Sequence, residues 1–235
     1  MIIEVLFQEV CGLYGDSQNP VYLQKTLPDA EFIFTNLTDT PYFSDKTPDL
    51  IYIGCMSEAT QRRVIEKLLP YKDRILELIA QGTVILATGN AGEIFASKIE
   101  YITEGVIVNG LNIFDLTVKT DLFKRYNGKV LGKVEGIDVV GFRSQFSFLY
   151  GDNTDFAFLE CTRGCGINKE SKLEGMRKNN LICTQLIGPI LPLNPLLCEY
   201  LIALTGNKAE AAFRQSAMDA YQTRLKEFQD PSVKF

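Results

Sequence analysis

Apolar residues recur along the first ninety positions with two different spacings. Ile2 to Phe7, Phe32 to Leu37, Leu50 to Ile53 and Thr83 to Thr88 are short, mostly apolar runs of the kind that form strands buried on both faces. Between them the spacing becomes helical. Pro20 to Leu27 predicts one helix, and Ser57 to Gln81 a longer one. Ser57 is placed to cap it, Val64, Ile65, Leu68, Ile75, Leu78 and Ile79 lie on its inner face, and Pro70 forces a kink. Strands alternating with helices predict a mostly parallel sheet covered on both faces. From Gly105 to Glu160 the pattern changes to short strands punctuated by glycine, with a hairpin joining Lys129–Leu131 to Ile137–Phe142, which reads as an antiparallel extension. Leu181 to Leu186 predicts a further strand. Asn194 to Thr205 predicts a helix capped by Asn194, and Lys208 to Phe228 a last one, with Phe213, Ala217, Tyr221, Leu225 and Phe228 on one face. No repeat or low-complexity linker interrupts the chain, so residues 1–235 read as a single domain.

Composition narrows the function. The chain has 235 residues, 46% hydrophobic, and its 24 Lys and Arg against 29 Asp and Glu leave a net charge of -5. That balance argues against a surface that tracks nucleic-acid phosphates. The most apolar stretch, Leu186 to Leu204, is broken by three prolines, an asparagine and a glutamate, and predicts no membrane span. The start of the chain has no signal-peptide pattern, so a cytoplasmic protein with reduced thiols is expected. Histidine is absent altogether. Ser-His-Asp, Cys-His and His-ligated metal chemistry are therefore excluded whatever the fold.

Val84 to Phe95 has the form of a nucleophile elbow: a buried strand, a tight turn of very small residues at Gly89-Asn90-Ala91-Gly92, and a short helix. Taken alone, an ordinary strand-helix turn is the simpler reading. The wider context points elsewhere. Leu13-Tyr14-Gly15-Asp16 with Asn19, Ile53-Gly54 with Gln61, Gly141-Phe142, Gly164-Cys165-Gly166-Ile167-Asn168, Glu174-Gly175 and Gly188-Pro189-Ile190-Leu191-Pro192-Leu193-Asn194-Pro195 follow one another in order. Together they resemble the GatD-type class I glutamine amidotransferases, which are related to the CobB/CobQ-like amidotransferase domain of cobyric acid synthase. The resemblance covers about residues 1 to 205. It implies a three-layer α/β/α sandwich of flavodoxin-like type. It also implies a subunit that hydrolyses glutamine and passes ammonia to a Mur-ligase-like partner, MurT, for amidation of the peptidoglycan precursor lipid II, with no cofactor.

The departures from that family fall on its chemistry. Its elbow pattern, Ala-Ile-Cys-Gly-Gly-Tyr-Gln, lies over Ala87-Thr88-Gly89-Asn90-Ala91-Gly92-Glu93, so Gly89 stands where the nucleophilic cysteine belongs. Its Tyr-Leu-His-Gly-Pro lies over Gln185-Leu186-Ile187-Gly188-Pro189, which puts Ile187 in place of the general base. Gly54-Cys55-Met56 replaces a triple-glycine oxyanion loop, and Arg143 and Gln145 replace the Glu and His of Gly-Phe-Glu-Asn-His. The expected protein is a pseudoenzyme, with Asp16, Gly54, Cys55, Gly89, Asn90, Arg143, Gln145 and Gln185 around a degenerate pocket.

Two alternatives stay open at this stage. An active hydrolase would need another nucleophile, Thr88, Cys55 or Cys183. A free-standing regulatory module would use the pocket for an amino-acid-like ligand. Cys11, Cys55 and Cys183 all fall near the carboxyl ends of predicted strands, where a relocated nucleophile or soft-metal site would sit. Buried free cysteines more commonly pack as small hydrophobes, and no metal site is expected. The Cys161–Cys165 spacing alone is weak evidence for zinc.

Overall fold

The computed structural model describes residues 1–234. Its strands are β1 (Ile2–Leu6), β2 (Glu31–Thr35), β3 (Leu50–Ile53), β4 (Val84–Thr88), β5 (Ala96–Tyr101), β6 (Val106–Asn109), β7 (Phe114–Thr120), β8 (Tyr126–Val134), β9 (Ile137–Gln145), β10 (Ser147–Tyr150), β11 (Leu159–Arg163), β12 (Leu173–Glu174), β13 (Met176–Lys178) and β14 (Leu181–Thr184). The helices are α1 (Gln18–Thr26), α2 (Glu58–Leu68), α3 (Lys72–Gln81), α4 (Ile190–Leu193), α5 (Pro195–Leu204) and α6 (Arg214–Gln229).

The central sheet runs β13-β14-β4-β3-β1-β2, and every pairing in it is parallel except that of β13 with β14. From β2 to β14 this is the flavodoxin-like order, in which ligands bind beyond the carboxyl ends of the strands. Alternation along each strand separates the two faces. Leu6, Ile51, Ile53, Ile85 and Ala87 pack with Val64, Ile65 and Leu68 of α2 and Ile75, Leu78 and Ile79 of α3. Ile3, Val5, Leu50, Tyr52, Val84 and Leu86 pack with Leu23 of α1 and Leu197, Cys198, Leu201 and Ile202 of α5. Helices therefore cover both faces of the sheet, giving the three-layer sandwich.

The predicted long helix is divided. Ser57 Oγ accepts the Thr60 amide hydrogen at 3.2 Å, and Pro70, inside a 3-10 turn at Leu69–Tyr71, separates α2 from α3. The region expected to be an antiparallel extension forms two more four-stranded sheets: β12-β11-β8-β9 is antiparallel throughout, but in β10-β7-β5-β6 the central pair β5 and β7 is parallel, because the chain crosses over through β6 before returning as β7. The first joins the α2/α3 side of the core through Ile99, Phe114, Leu116, Val118 and Leu149. The second joins the α1/α5 side through Val130, Val134, Val139 and Leu159. Tyr221, Leu225 and Phe228 of α6 pack on Leu131 and Val140 of that sheet.

Two local expectations are corrected. The last helix begins at Arg214, because Phe213 takes a positive φ of 53° and is 70% exposed, outside the packed face. Asn194 does not cap α5 with its side chain. Its amide is used instead to grip β9, accepting the Val140 N–H at 2.8 Å and donating to the Val140 carbonyl at 2.8 Å.

Candidate functional site

The carboxyl ends of β3, β4 and β14 meet the end of β9 around a cavity of about 160 Å³. The elbow forms its floor. Gly89 has φ +59°, a left-handed conformation that glycine adopts without penalty, and residues Gly89–Phe95 continue as a 3-10 helix. A Cβ at Gly89 would lie 2.7 Å from both Cβ and Sγ of Cys55 and 3.2 Å from Cγ2 of Ile187. The space into which an elbow side chain would project is therefore filled by Cys55 and Ile187.

The backbone amides of Gly54-Cys55-Met56 are already satisfied. Asp16 Oδ2 accepts the Cys55 N–H at 2.9 Å, and Asn90 Oδ1 accepts the Met56 N–H at 2.9 Å. Asn90 Nδ2 in turn donates to the Met56 carbonyl at 2.7 Å, so this side chain clamps the loop from both directions. An oxyanion arriving here would meet no free donor on either amide. Gly54 itself is required for space, since a Cβ there would lie 2.8 Å from the Cys11 carbonyl oxygen.

Beneath the floor is a closed polar cluster. Thr88 donates to Asp16 Oδ2 at 2.6 Å, and Tyr52 donates to the Asp16 carbonyl at 3.0 Å while accepting from Asn19 at 2.9 Å. Asp16, Asn19 and Thr88 are fully buried. Burial raises the Asp16 carboxyl to about 6, opposed by its bonds to Thr88, the Cys55 amide and Asn19.

The three proposed replacement nucleophiles differ in position. Thr88 lies under the bend with its hydroxyl committed to Asp16. Cys183 is wholly buried, and a Cβ at Gly92 would lie 3.0 Å from its Cβ. Cys55 borders the cavity but is 4% exposed, with Sγ 3.5 Å from the Asn90 amide oxygen, which cannot take a proton. Burial, reinforced by Asp16, drives its thiol far above the usual range, the opposite of activation. Burial does the same to Cys183. Cys11 contacts Met56 Sδ at 3.8 Å, and all six cysteines are buried free thiols. No cluster of three or more His, Cys, Asp or Glu suited to a metal ion occurs among the described residues.

Of the other pocket residues expected from sequence, Gln145 and Gln185 line the cavity, whereas Asp16, Gly54 and Arg143 stand behind its wall. Arg143 is 1% exposed. It donates to Gln145 Oε1 at 2.8 Å, to the carbonyls of Cys165 and Gly166, and to Gln185 Oε1. Gln185 passes the connection on to Glu93 Oε1 at 3.3 Å, and Gln145 reaches the same carboxyl through Ser147. Glu93 and Ser147 were not anticipated. The available signal was Glu93 itself, an acid directly after the small-residue turn Gly89-Asn90-Ala91-Gly92.

Glu93 is 2% exposed, and burial raises its carboxyl to about 7, opposed by hydrogen bonds from Ser147, Gln61 and Gln185. A carboxyl raised in this way holds its proton more tightly folded than unfolded. Stability from this group is therefore fully present below about 4.5 and is lost as pH rises toward 7. Glu93→Gln removes that loss. Between pH 5 and pH 8 the variant's stability relative to the parent, from urea midpoints, is expected to improve by up to about 3 kcal/mol.

This strand order and the turn after β4 define a class I glutamine amidotransferase fold. Three solved structures share it: PurLQS from Thermotoga maritima (TM-score 0.54, 9% identity, 95% of this chain and 98% of that one), a glutamine amidotransferase (0.55, 13%, 87% and 99%), and another from Thermotoga maritima (0.53, 10%, 95% and 92%). In sequence the chain is similar to the GatD subunit of lipid II isoglutaminyl synthase (glutamine-hydrolyzing) from Staphylococcus aureus strain N315. Identity is 26% over 212 residues, 88% of this chain and 85% of that protein. No family profile matches the chain. The chain is thus similar in sequence to a GatD subunit and shares the glutamine amidotransferase fold.

Proposed function

We propose that this protein is a non-catalytic, GatD-like subunit that serves as a scaffold for a MurT-like, Mur-ligase-like partner in amidation of a cell-wall precursor in the cytoplasm. One observation carries the reading: the elbow bears Gly89, and Cys55 and Ile187 occupy the space where a nucleophile and its base would act. The absence of histidine from the sequence removes the usual base from every other position as well. The clamped amides of Cys55 and Met56 point the same way. The reading also treats residues 1–235 as one domain, which suits a subunit that docks as a unit.

The changed positions are not scattered losses. Glu93, Arg143, Gln145 and Gln185 each replace a different family residue, yet they form one continuous hydrogen-bonded network. A site under no constraint would leave buried polar groups unpaired, because each one costs about 1 to 3 kcal/mol. The network supports retention of the pocket for a structural or binding purpose. A second reading, favoured by the cavity itself, is a module that binds a small amino-acid-like ligand.

Reconstitution with a Mur-ligase-like partner tests the first reading. A stable complex that amidates its substrate with ammonium and not with glutamine is the expected result. Failure to form any complex, together with stabilisation of the isolated chain by an amino acid, would favour the second.

A further inference from the structure

A second cavity, of about 350 Å³, opens beside the first, with Arg125 and Phe146 in the wall of both. It falls within the size of small-molecule sites, about 300 to 1,000 Å³. Four cations, Lys119, Lys124, Arg125 and Lys169, line it against two carboxylates, Asp121 and Glu170. This local excess is opposite in sign to the chain's net charge of -5.

The cations are held in an unusual way. Lys124 is paired with Asp121 at 2.9 Å. Lys119, Arg125 and Lys169 form no ion pair among the described residues and are seated on aromatic rings instead. Lys119 Nζ lies 5.1 Å from the Tyr150 ring centre and Arg125 Cζ 4.8 Å from that of Phe146. Lys169 Nζ lies 5.6 Å from the ring centre of Tyr126 and 5.8 Å from that of Phe148. The buried Arg143 lies 5.9 and 5.7 Å from the same two rings and gives the platform a second cation.

A ring attracts a cation without neutralising it, and Arg125, which gives one N–H to the Tyr14 hydroxyl at 2.7 Å, keeps its remaining donors for a ligand. Carboxylate pairing would do the reverse. Three exposed cations are thus placed around one cavity with no carboxylate in direct contact, although Lys119 feels Glu100 across the strand pair, and their fixed placement lowers the ordering cost of binding an anion. Multiple N–H donors on positive groups match phosphoryl oxygens in charge and hydrogen bonding. We propose that this cavity binds a small soluble phosphate or diphosphate ester through Lys119, Arg125 and Lys169. The site adjoins the elbow cavity through Arg125 and Phe146 but uses none of the elbow's own residues, and it does not depend on the scaffold reading.

Calorimetric titration with inorganic pyrophosphate tests it on the full chain. Saturable one-to-one binding that weakens with added salt is expected. The exposed double variant K119A/K169A should keep the parent's melting temperature yet bind roughly tenfold or more weakly. The equally exposed K208A should bind as the parent does. Three results would overturn the proposal: no saturable binding, equal loss in K208A and the double variant, or association with phosphatidic-acid vesicles in the absence of pyrophosphate binding.

Discussion

Gly89→Cys is expected to leave glutamine hydrolysis undetectable and to lower stability by about 2 to 5 kcal/mol. A side chain at φ +59° costs about 1 to 2 kcal/mol of backbone strain, and the new Cβ at 2.7 Å from Cys55 adds about 1 to 3 kcal/mol of overpacking. A thiol placed at position 89 alone is therefore expected to give no activity, because Cys55 and Ile187 fill the space and the sequence has no histidine to act as a base. In G89C/C55G the clashing thiol is gone, so a double-mutant cycle on urea midpoints should show the pair to be less damaging than the sum of the singles. Additive or worse behaviour would mean that Cys55 is not what blocks the elbow.

The second large effect is expected at Arg143. Arg143→Met should cost about 3 to 5 kcal/mol, because it strands several buried acceptors and removes the positive charge facing Glu174. Glu174 is fully buried, accepting from Thr184 at 3.0 Å and from the Gln185 N–H at 2.7 Å. Burial raises its carboxyl and Arg143 draws it back down. The double variant R143M/E174Q, which removes both charges, should recover part of the loss in chemical denaturation. A double variant as unstable as the two singles combined would show that the charges are not coupled.

Much of the fold was legible from the chain because β1, β3 and β4 are almost wholly apolar and each is followed by a turn and a helical period. Pro70 and Ser57 marked helix ends for local reasons, and the structure keeps both. Glu4 shows where that legibility stops. It lies fully buried in β1, and nothing near it in sequence explains it. Its partners are Thr35 at 2.6 Å and the amides of Tyr42 at 2.7 Å and Phe43 at 2.9 Å, supplied by segments about thirty to forty residues away. Asn194 was read as a cap by its position before a proline-led helix, whereas its side chain holds β9.

The candidate site divides along the same line. The expectation at Gly89 and Ile187 comes from sequence alone, because the identity of a residue at a motif position is visible in one dimension. The hydrogen-bonded network beside the elbow could not be read that way. Arg143 comes from β9, Gln185 from just beyond β14 and Glu93 from the turn after β4, and only the tertiary fold makes them neighbours. The second cavity is hidden from sequence for the same reason, since its rings and cations come from β7, β8, β10 and three connecting segments.

Glutamate release from glutamine by the purified chain, measured alone and with a Mur-ligase-like partner, tests the central claim most directly. The account predicts no release above a heat-inactivated sample in either case, and no covalent adduct at Cys55, Cys183 or Thr88 after exposure to a glutamine-analogue electrophile. Sustained release, or an adduct at any of the three, would contradict it.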